Sequence, residues 1–247
     1  HERRGGRCAG GAPTRSGGGV KGAAPGSAST ASWLTELRRR TTTLPWLKAA
    51  GNAVFLILFF RAYLAIQRNP VFEVMQIPAT AIDRWVGFQP WTLGLYLSLW
   101  VYTALPVALQ PDLRQLVRYC AHISAMCLLA LAVFFLWPTS VSDAVGARGG
   151  GGLFAAMYAV DDAGNACPSL HVAASVFSFL WLRAMLADVG APRWLALINA
   201  CWCVGICYST LATKQHLLID VLAGAALGLA GGWWSVRASR SSKQRVQ

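Results

Sequence analysis

The sequence predicts an all-α fold: an integral membrane bundle of six transmembrane helices. Three observations carry this expectation. Of the 247 residues, 55% are hydrophobic and only 13% are charged, whereas a soluble domain carries about 25% charged residues. The mean hydropathy is +0.44. Six separate apolar runs each approach the length of about 20 residues that crosses a bilayer. So many runs would overfill the core of a soluble protein of this size.

Taken in order, residues 1–32 come first. They hold nine glycines, four arginines and almost no large apolar group, too little apolar surface to offset chain entropy. They read as a disordered, basic, Gly-rich tail. This tail lacks the apolar core of a secretory signal, and it starts at His1 rather than Met, as expected if the true start is missing or misassigned. The membrane domain is expected over 33–236, with spans at 48–66, 91–109, 119–137, 170–186, 194–212 and 217–236. Arg61 in the first span and Arg183 in the fourth are compatible with spanning, because arginine snorkels to the interface. Residues 237–247 read as a second basic tail.

Charge then orients the bundle. The net charge is +12. A basic chain can signal nucleic acid, but here the charge follows topology and no nucleic-acid partner is expected. With six spans, both termini share a side with segments 110–118 and 187–193. That side carries most of the cations, among them Arg38, Arg39, Arg40, Lys48, Arg114 and Arg118. Positive charge marks the cytoplasmic side, so both termini are expected there. The expected setting is multi-pass in a bacterial inner (plasma) membrane.

No metal or cofactor is expected. Cys120, Cys127, Cys201, Cys203 and Cys207 fall inside spans, where cysteine acts as a small hydrophobe. The spacing of Cys201, Cys203 and Cys207 fits no zinc signature, and no acidic cluster suits magnesium.

Two polar motifs meet on the non-cytoplasmic face. The first, Cys167-Pro168-Ser169-Leu170-His171, opens span four. The second runs from Ser209 through Lys214 and His216 to Asp220, between spans five and six. Ionisable groups beside apolar spans are costly to keep and mark function. His216 and Asp220 are four apart, which puts them on one helical face. Asp220 can fix one imidazole nitrogen and free the other, as a nucleophile or base requires. It can equally cap span six or pair with Lys214. Pro168 and Ser169 suit a helix start. That start is either a plain cap or a phosphate cradle of free N–H groups. In the second case His171 stands where it can protonate a leaving oxygen. Lys214 is either an interfacial charge or a point cation for a phosphate.

Small residues recur at four-residue spacing in Asp220, Gly224 and Gly228, and in Cys201, Gly205 and Ser209. Such ladders let membrane helices approach closely, so spans five and six are expected to pack together behind the site. His122 falls at the other end of the bundle and reads as interfacial or structural. The loop 138–168 carries four glycines at 149–152, an apolar stretch at 153–158, then Asp161 and Asp162. It is either a lid that dips into the interface or an ordinary disordered loop.

Together the two motifs resemble those of the type-2 phosphatidic acid phosphatase superfamily, over roughly residues 90–235. That family carries Pro-Ser-Gly-His, then Ser-Arg, five residues, His, three residues and Asp. Pro168, Ser169 and His171 match the first motif, with Leu170 at the Gly position. Ser209, His216 and Asp220 match the second at the family spacing, and Val221-Leu222-Ala223-Gly224 continue the likeness. The resemblance implies a phosphohistidine on His216, oriented by Asp220, with His171 protonating the leaving group. Ser169, Ser209 and Lys214 would bind the substrate, a lipid phosphate drawn from the bilayer. Thr210 stands at the family's Arg position, and the family's Lys-x6-Arg-Pro motif is absent; Lys214 is the candidate replacement for one missing cation. Leu170 within Pro-Ser-Leu-His and the degenerate first motif resemble more the inositol-phosphorylceramide synthase-like branch, which transfers a headgroup. The expectation is therefore a lipid-phosphate phosphatase, with a headgroup transferase as the alternative. A transporter or non-catalytic membrane protein is the rival of another class. Against it, the polar groups sit at span ends and no internal repeat is visible. A soluble vanadate-dependent peroxidase shares the family's site, but six spans argue against it.

Overall fold

The structure, a computed structural model, describes residues 27–141, 152, 154 and 165–244. Six helical segments among these are long and apolar enough to cross a membrane, and the fold is the expected all-α bundle. Helix α1 (Ser27–Thr42) precedes them. The spans are α2 (Pro45–Arg68), then α4 (Leu93–Leu97) with α5 (Leu99–Ala108) as one unit, and α6 (Leu113–Leu136). They continue with α7 (Leu170–Asp188), α8 (Arg193–Ala212) and α9 (Leu218–Gln244). A short helix, α3 (Ala81–Trp85), lies between α2 and a 3-10 turn at Pro90–Thr92.

Several boundaries differ from the sequence reading, each for a local reason. Helix α1 begins inside the segment read as a tail, at an Ala- and Ser-rich run that leads into Leu34 and Leu37. Leu37 then packs against the core. The third span starts six residues early, because Asp112 caps it by accepting a 2.8 Å bond from the Gln115 N–H. The second span is interrupted at Ser98, whose hydroxyl donates to the Leu95 carbonyl and accepts from Trp202 Nε1. Helix α9 runs on through Arg237 to Gln244, so part of the basic segment 237–247 is helical. A two-stranded parallel sheet was not foreseen: β1 (Met75–Ile77) pairs with β2 (Thr139–Val141). Strands of three residues leave no periodicity to read.

Exposed tryptophans band both ends of the bundle. Trp85, Trp91 and Trp137 mark the end that holds α3 and the sheet; Trp46, Trp194, Trp233 and Trp234 mark the other. Such belts sit at membrane interfaces. Helix α7 is central, with half of its apolar window buried, while none of α2's is. Around α7, the core joins Tyr102, Tyr119, Phe177, Trp181 and Ile206.

The small-residue ladders pack differently from expectation. Spans five and six, α8 and α9, are not drawn to each other by their glycines. A Cβ on Gly224 would run into the Ser169 carbonyl, and one on Gly228 would lie 2.5 Å from the Ala173 carbonyl oxygen. Both glycines therefore press α9 onto α7. Gly205 faces Leu95 of α4. The ladders marked close approach correctly but not the partner, which topology selects.

Helix α1 closes the end opposite the sheet. Buried Arg40 bridges Glu36 at 2.8 Å and Asp188 of α7 at 2.9 Å. Bonds from Arg39 and Arg40 hold the Glu36 carboxyl down at about 2. Beside them, buried Lys48 Nζ donates to the carbonyls of Arg40, Ala108 and Gln110 at 2.7–2.8 Å. It thereby ties the start of α2 to the end of α5. His122 contacts its own helix, Nδ1 against the Arg118 carbonyl at 2.7 Å.

A paired-histidine candidate active site

Both motifs lie at the sheet end, and the structure brings their histidines together. His171 is the second residue of α7. His216 lies two residues ahead of α9, in the turn that follows α8. Their ring centroids are 5.9 Å apart. Tyr96 stacks on His171 at 4.4 Å and 25°, and Trp100 meets the same ring edge-on at 6.4 Å. These contacts hold the His171 ring between α4–α5 and His216.

Asp220 is fully buried in the first turn of α9. Its Oδ2 lies 3.7 Å from His216 Nδ1 and also accepts a 2.8 Å bond from the Leu217 N–H. The capping and orienting roles weighed from the sequence thus share one oxygen. Oδ1 of Asp220 and Nδ1 of His216 have no hydrogen-bond partner. With Nδ1 turned to the carboxylate, Nε2 is the imidazole nitrogen left for chemistry. Cys167 lies beside the same carboxylate. Burial first, then Asp220, pushes its thiol up to about 11, so it stays protonated.

Ser169 caps α7, its hydroxyl accepting from the Val172 N–H at 3.4 Å, while its own N–H donates to the Asp220 carbonyl at 3.0 Å. The two motifs are therefore bonded through their backbones. Ser209 is buried and its hydroxyl donates to the Ile206 carbonyl within α8. Thr210, at the family's Arg position, accepts the N–H groups of Gln215 and His216 on its carbonyl, at 3.1 and 3.2 Å. That carbonyl folds the turn back under His216.

Lys214 has left-handed backbone, φ 59°, and its ammonium donates to the carbonyls of Asp83 and Val86. It fastens the His216 turn to α3 and is not part of the wall around the histidines. Burial, partly opposed by Asp83, holds its pKa below the ordinary lysine value.

Four contributors escaped the sequence reading. Asp83 completes a capping box with Thr80 on α3, while its Oδ1 accepts the Leu218 N–H at 2.7 Å. One carboxylate thus starts both α3 and α9. The Thr80-x-x-Asp83 spacing signalled the cap, but not the second bond. Tyr96 and Trp100, four apart on the second span, were visible only as apolar residues. Asn165 donates to the Tyr63 carbonyl at 3.1 Å, leaving its Oδ1 unpartnered. Within the loop read as either a lid or an ordinary disordered loop, Phe154 packs on Phe88 at 5.2 Å; residues 142–151, 153 and 155–164 lie outside the described residues.

An apolar cavity of about 460 Å³ opens from the histidines into the bundle, between α2 and the wall of α4–α7. Asn165, His171 and His216 line its polar end. No cluster of potential metal ligands occurs among the described residues.

Fold and site define a class: a six-span membrane protein with two histidines and a carboxylate gathered at one end of an apolar cavity. The family model described as the PAP2 superfamily matches residues 49–243, and the chain belongs to that superfamily. No curated protein and no solved structure matches the chain. Membership makes its chemistry that of a phosphatase or phosphotransferase.

Proposed function

We propose that this protein is a membrane lipid-phosphate phosphatase that works through a phosphohistidine on His216. The observation that carries the reading is the 5.9 Å approach of His171 to His216, with Asp220 behind His216, at the mouth of an apolar cavity. In the proposed reaction His216 Nε2 attacks phosphorus and the P–O bond to the lipid alcohol breaks. His171, protonated, delivers its proton to the leaving oxygen. Asp220 fixes the His216 ring and stabilises the cation formed on it. Water, deprotonated by His171, then attacks the phosphohistidine, releasing inorganic phosphate and restoring both histidines.

The phosphate lies at the start of α7, where the first N–H groups of a helix have no partner within it and the dipole favours an anion. Ser169 shapes that start. Ser209 and Lys214 act from behind: Ser209 within α8, and Lys214 as the strut that sets the His216 turn. The site is placed on the non-cytoplasmic side in this reading, which the distribution of Lys and Arg supports.

A second reading, headgroup transfer, is favoured by one observation. The histidines open onto an apolar cavity walled by α2 and α4–α7, through which a lipid alcohol can reach the phosphohistidine in place of water. Both readings are tested by incubating purified protein with ³²P-labelled lipid phosphate. Label should be trapped on His216 by acid-free denaturation, and His216→Ala should trap none while keeping its thermal transition. Full turnover in His216→Ala overturns the mechanism. Phosphate release without added alcohol selects hydrolysis; lipid product formed only with an alcohol selects transfer.

A further inference from the structure

The cavity has two ends. One is the histidine pair. The other lies beside Lys48, at the opposite membrane interface. On α2 its wall steps through Leu47, Gly51, Phe55, Phe59 and Tyr63, one residue per turn. At about 1.5 Å per residue that wall is about 24 Å long, whereas one leaflet's hydrocarbon is about 15 Å deep. The cavity therefore passes the bilayer midplane. A dry cavity of about 150 Å³ holds one benzene, so this one has room for about 18 carbon atoms. Spread over its length, that space is one hydrocarbon chain wide.

Helix α2 is pinned at both ends of this space. Lys48 ties its start to α5, while Asn165 on the Tyr63 carbonyl and Tyr63 against Phe134 tie its other end. Between the pins, a Cβ on Gly51 would meet nothing within 4 Å.

We propose that this cavity seats one hydrocarbon chain of the phosphate ester and gauges its length, with Gly51 one turn above the floor of the gauge at Leu47 and Lys48; the proposal rests on reading the histidine end as the phosphate site. The bilayer already shields the chain from water, so entering the cavity brings little hydrophobic gain. Length is read by fit. A chain that reaches past the floor must buckle or leave, and a second chain, where the lipid has one, stays in the bilayer.

The test uses the full chain in lipid nanodiscs and n-alkylphosphonates, whose C–P bond cannot be hydrolysed, over a series of chain lengths. Affinity for the wild type should stay level up to about 18 carbons and weaken beyond. In Gly51→Phe the floor rises by about 6 Å, one turn of α2. The break should then fall to about 14 carbons, with short-chain affinity unchanged. Gly51→Leu should shift it by less. Both replacements are better helix formers than glycine, so folding is preserved. A wild type without a break, or a break that stays put in both variants, overturns the gauge. Phosphate release from the matching alkyl phosphates is read separately. Binding with the length break but no cleavage sinks the phosphatase reading alone; cleavage without a break sinks the gauge alone.

Discussion

Gly228→Ala adds one methyl group where α9 meets α7, and the structure sets the size of the disturbance. The new Cβ would lie 2.5 Å from the Ala173 carbonyl oxygen, 2.9 Å from Val176 Cβ and 3.1 Å from Ala173 Cα. Ordinary contact begins at 3.4 Å, so the carbonyl is about 0.9 Å too close. Two of these atoms are backbone and cannot rotate away; the helices must part. His171 lies two residues before Ala173 on the same helix, so the parting also widens the gap to His216. Overpacking of this kind costs about 1–3 kcal/mol, offset by about 1 kcal/mol of helix propensity gained over glycine. The net loss of stability is therefore small. The loss of activity should not be: misplacing reacting groups by about 1 Å costs about a hundredfold. Gly231→Ala is the control, because the three atoms nearest its Cβ all belong to the flexible Met126 side chain, at 3.5 Å or more. Phosphate release and thermal unfolding, measured on both variants in nanodiscs, decide the matter. Wild-type turnover in Gly228→Ala refutes the argument that the α7–α9 approach sets the histidine geometry.

Asp220→Asn keeps an acceptor for the Leu217 N–H but loses the charge that fixes the His216 tautomer. Turnover should fall by at least about a hundredfold with the thermal transition little changed, and equal losses of both would make Asp220 a structural cap only. Asp83→Ala strands the N–H groups of Leu218 and Thr80 and the Thr80 hydroxyl. It should cost about 1–3 kcal/mol in thermal or denaturant unfolding, and Asp83→Asn should recover part of that. For Lys214 the sign follows from burial, which holds its folded pKa below 10.5. Between the two values the unfolded chain binds more protons than the folded one, so stability rises with pH through that window and levels off above 10.5. Lys214→Met should remove that slope from a plot of melting temperature against pH; a variant with the wild-type slope refutes the assignment.

The spans were legible because composition alone declares them, and the histidines because ionisable groups beside apolar runs are rare. The convergence of His171 and His216 followed from counting crossings. What stayed hidden was pairing. Gly224 and Gly228 announce a close approach, yet only the assembled bundle shows that Ser169 and Ala173 of α7 fill the space. Lys214 sits in the motif where a phosphate cation was expected, but its ammonium is taken by the Asp83 and Val86 carbonyls, 131 and 128 residues away in sequence. Asp83 was legible as the cap of its own helix. Its bond to Leu218 was not, because no local pattern encodes a contact 135 residues distant. Asn165 gave no signal beyond being polar.

The fate of Lys214 shapes the chemistry. On the proposed reading, with that cation committed to α3 and with Thr210 in place of the family's Arg, the charge that meets a phosphate would come from the start of α7 and from the histidines themselves. Such a site holds a phosphate less firmly than paired cations would, since charge-assisted bonds are the strong ones. A membrane enzyme tolerates this. The proposed lipid substrate would already be concentrated in the plane of the bilayer, and uniform ground-state affinity does not raise turnover. Weak anchoring of the phosphate would leave selectivity to the remainder of the molecule, which the proposed gauge places in the cavity of about 460 Å³. On this argument the cation deficit and the long cavity are a single design. Restoring a guanidinium by Thr210→Arg should tighten phosphate binding for chains of every length alike, leaving the length break where it was.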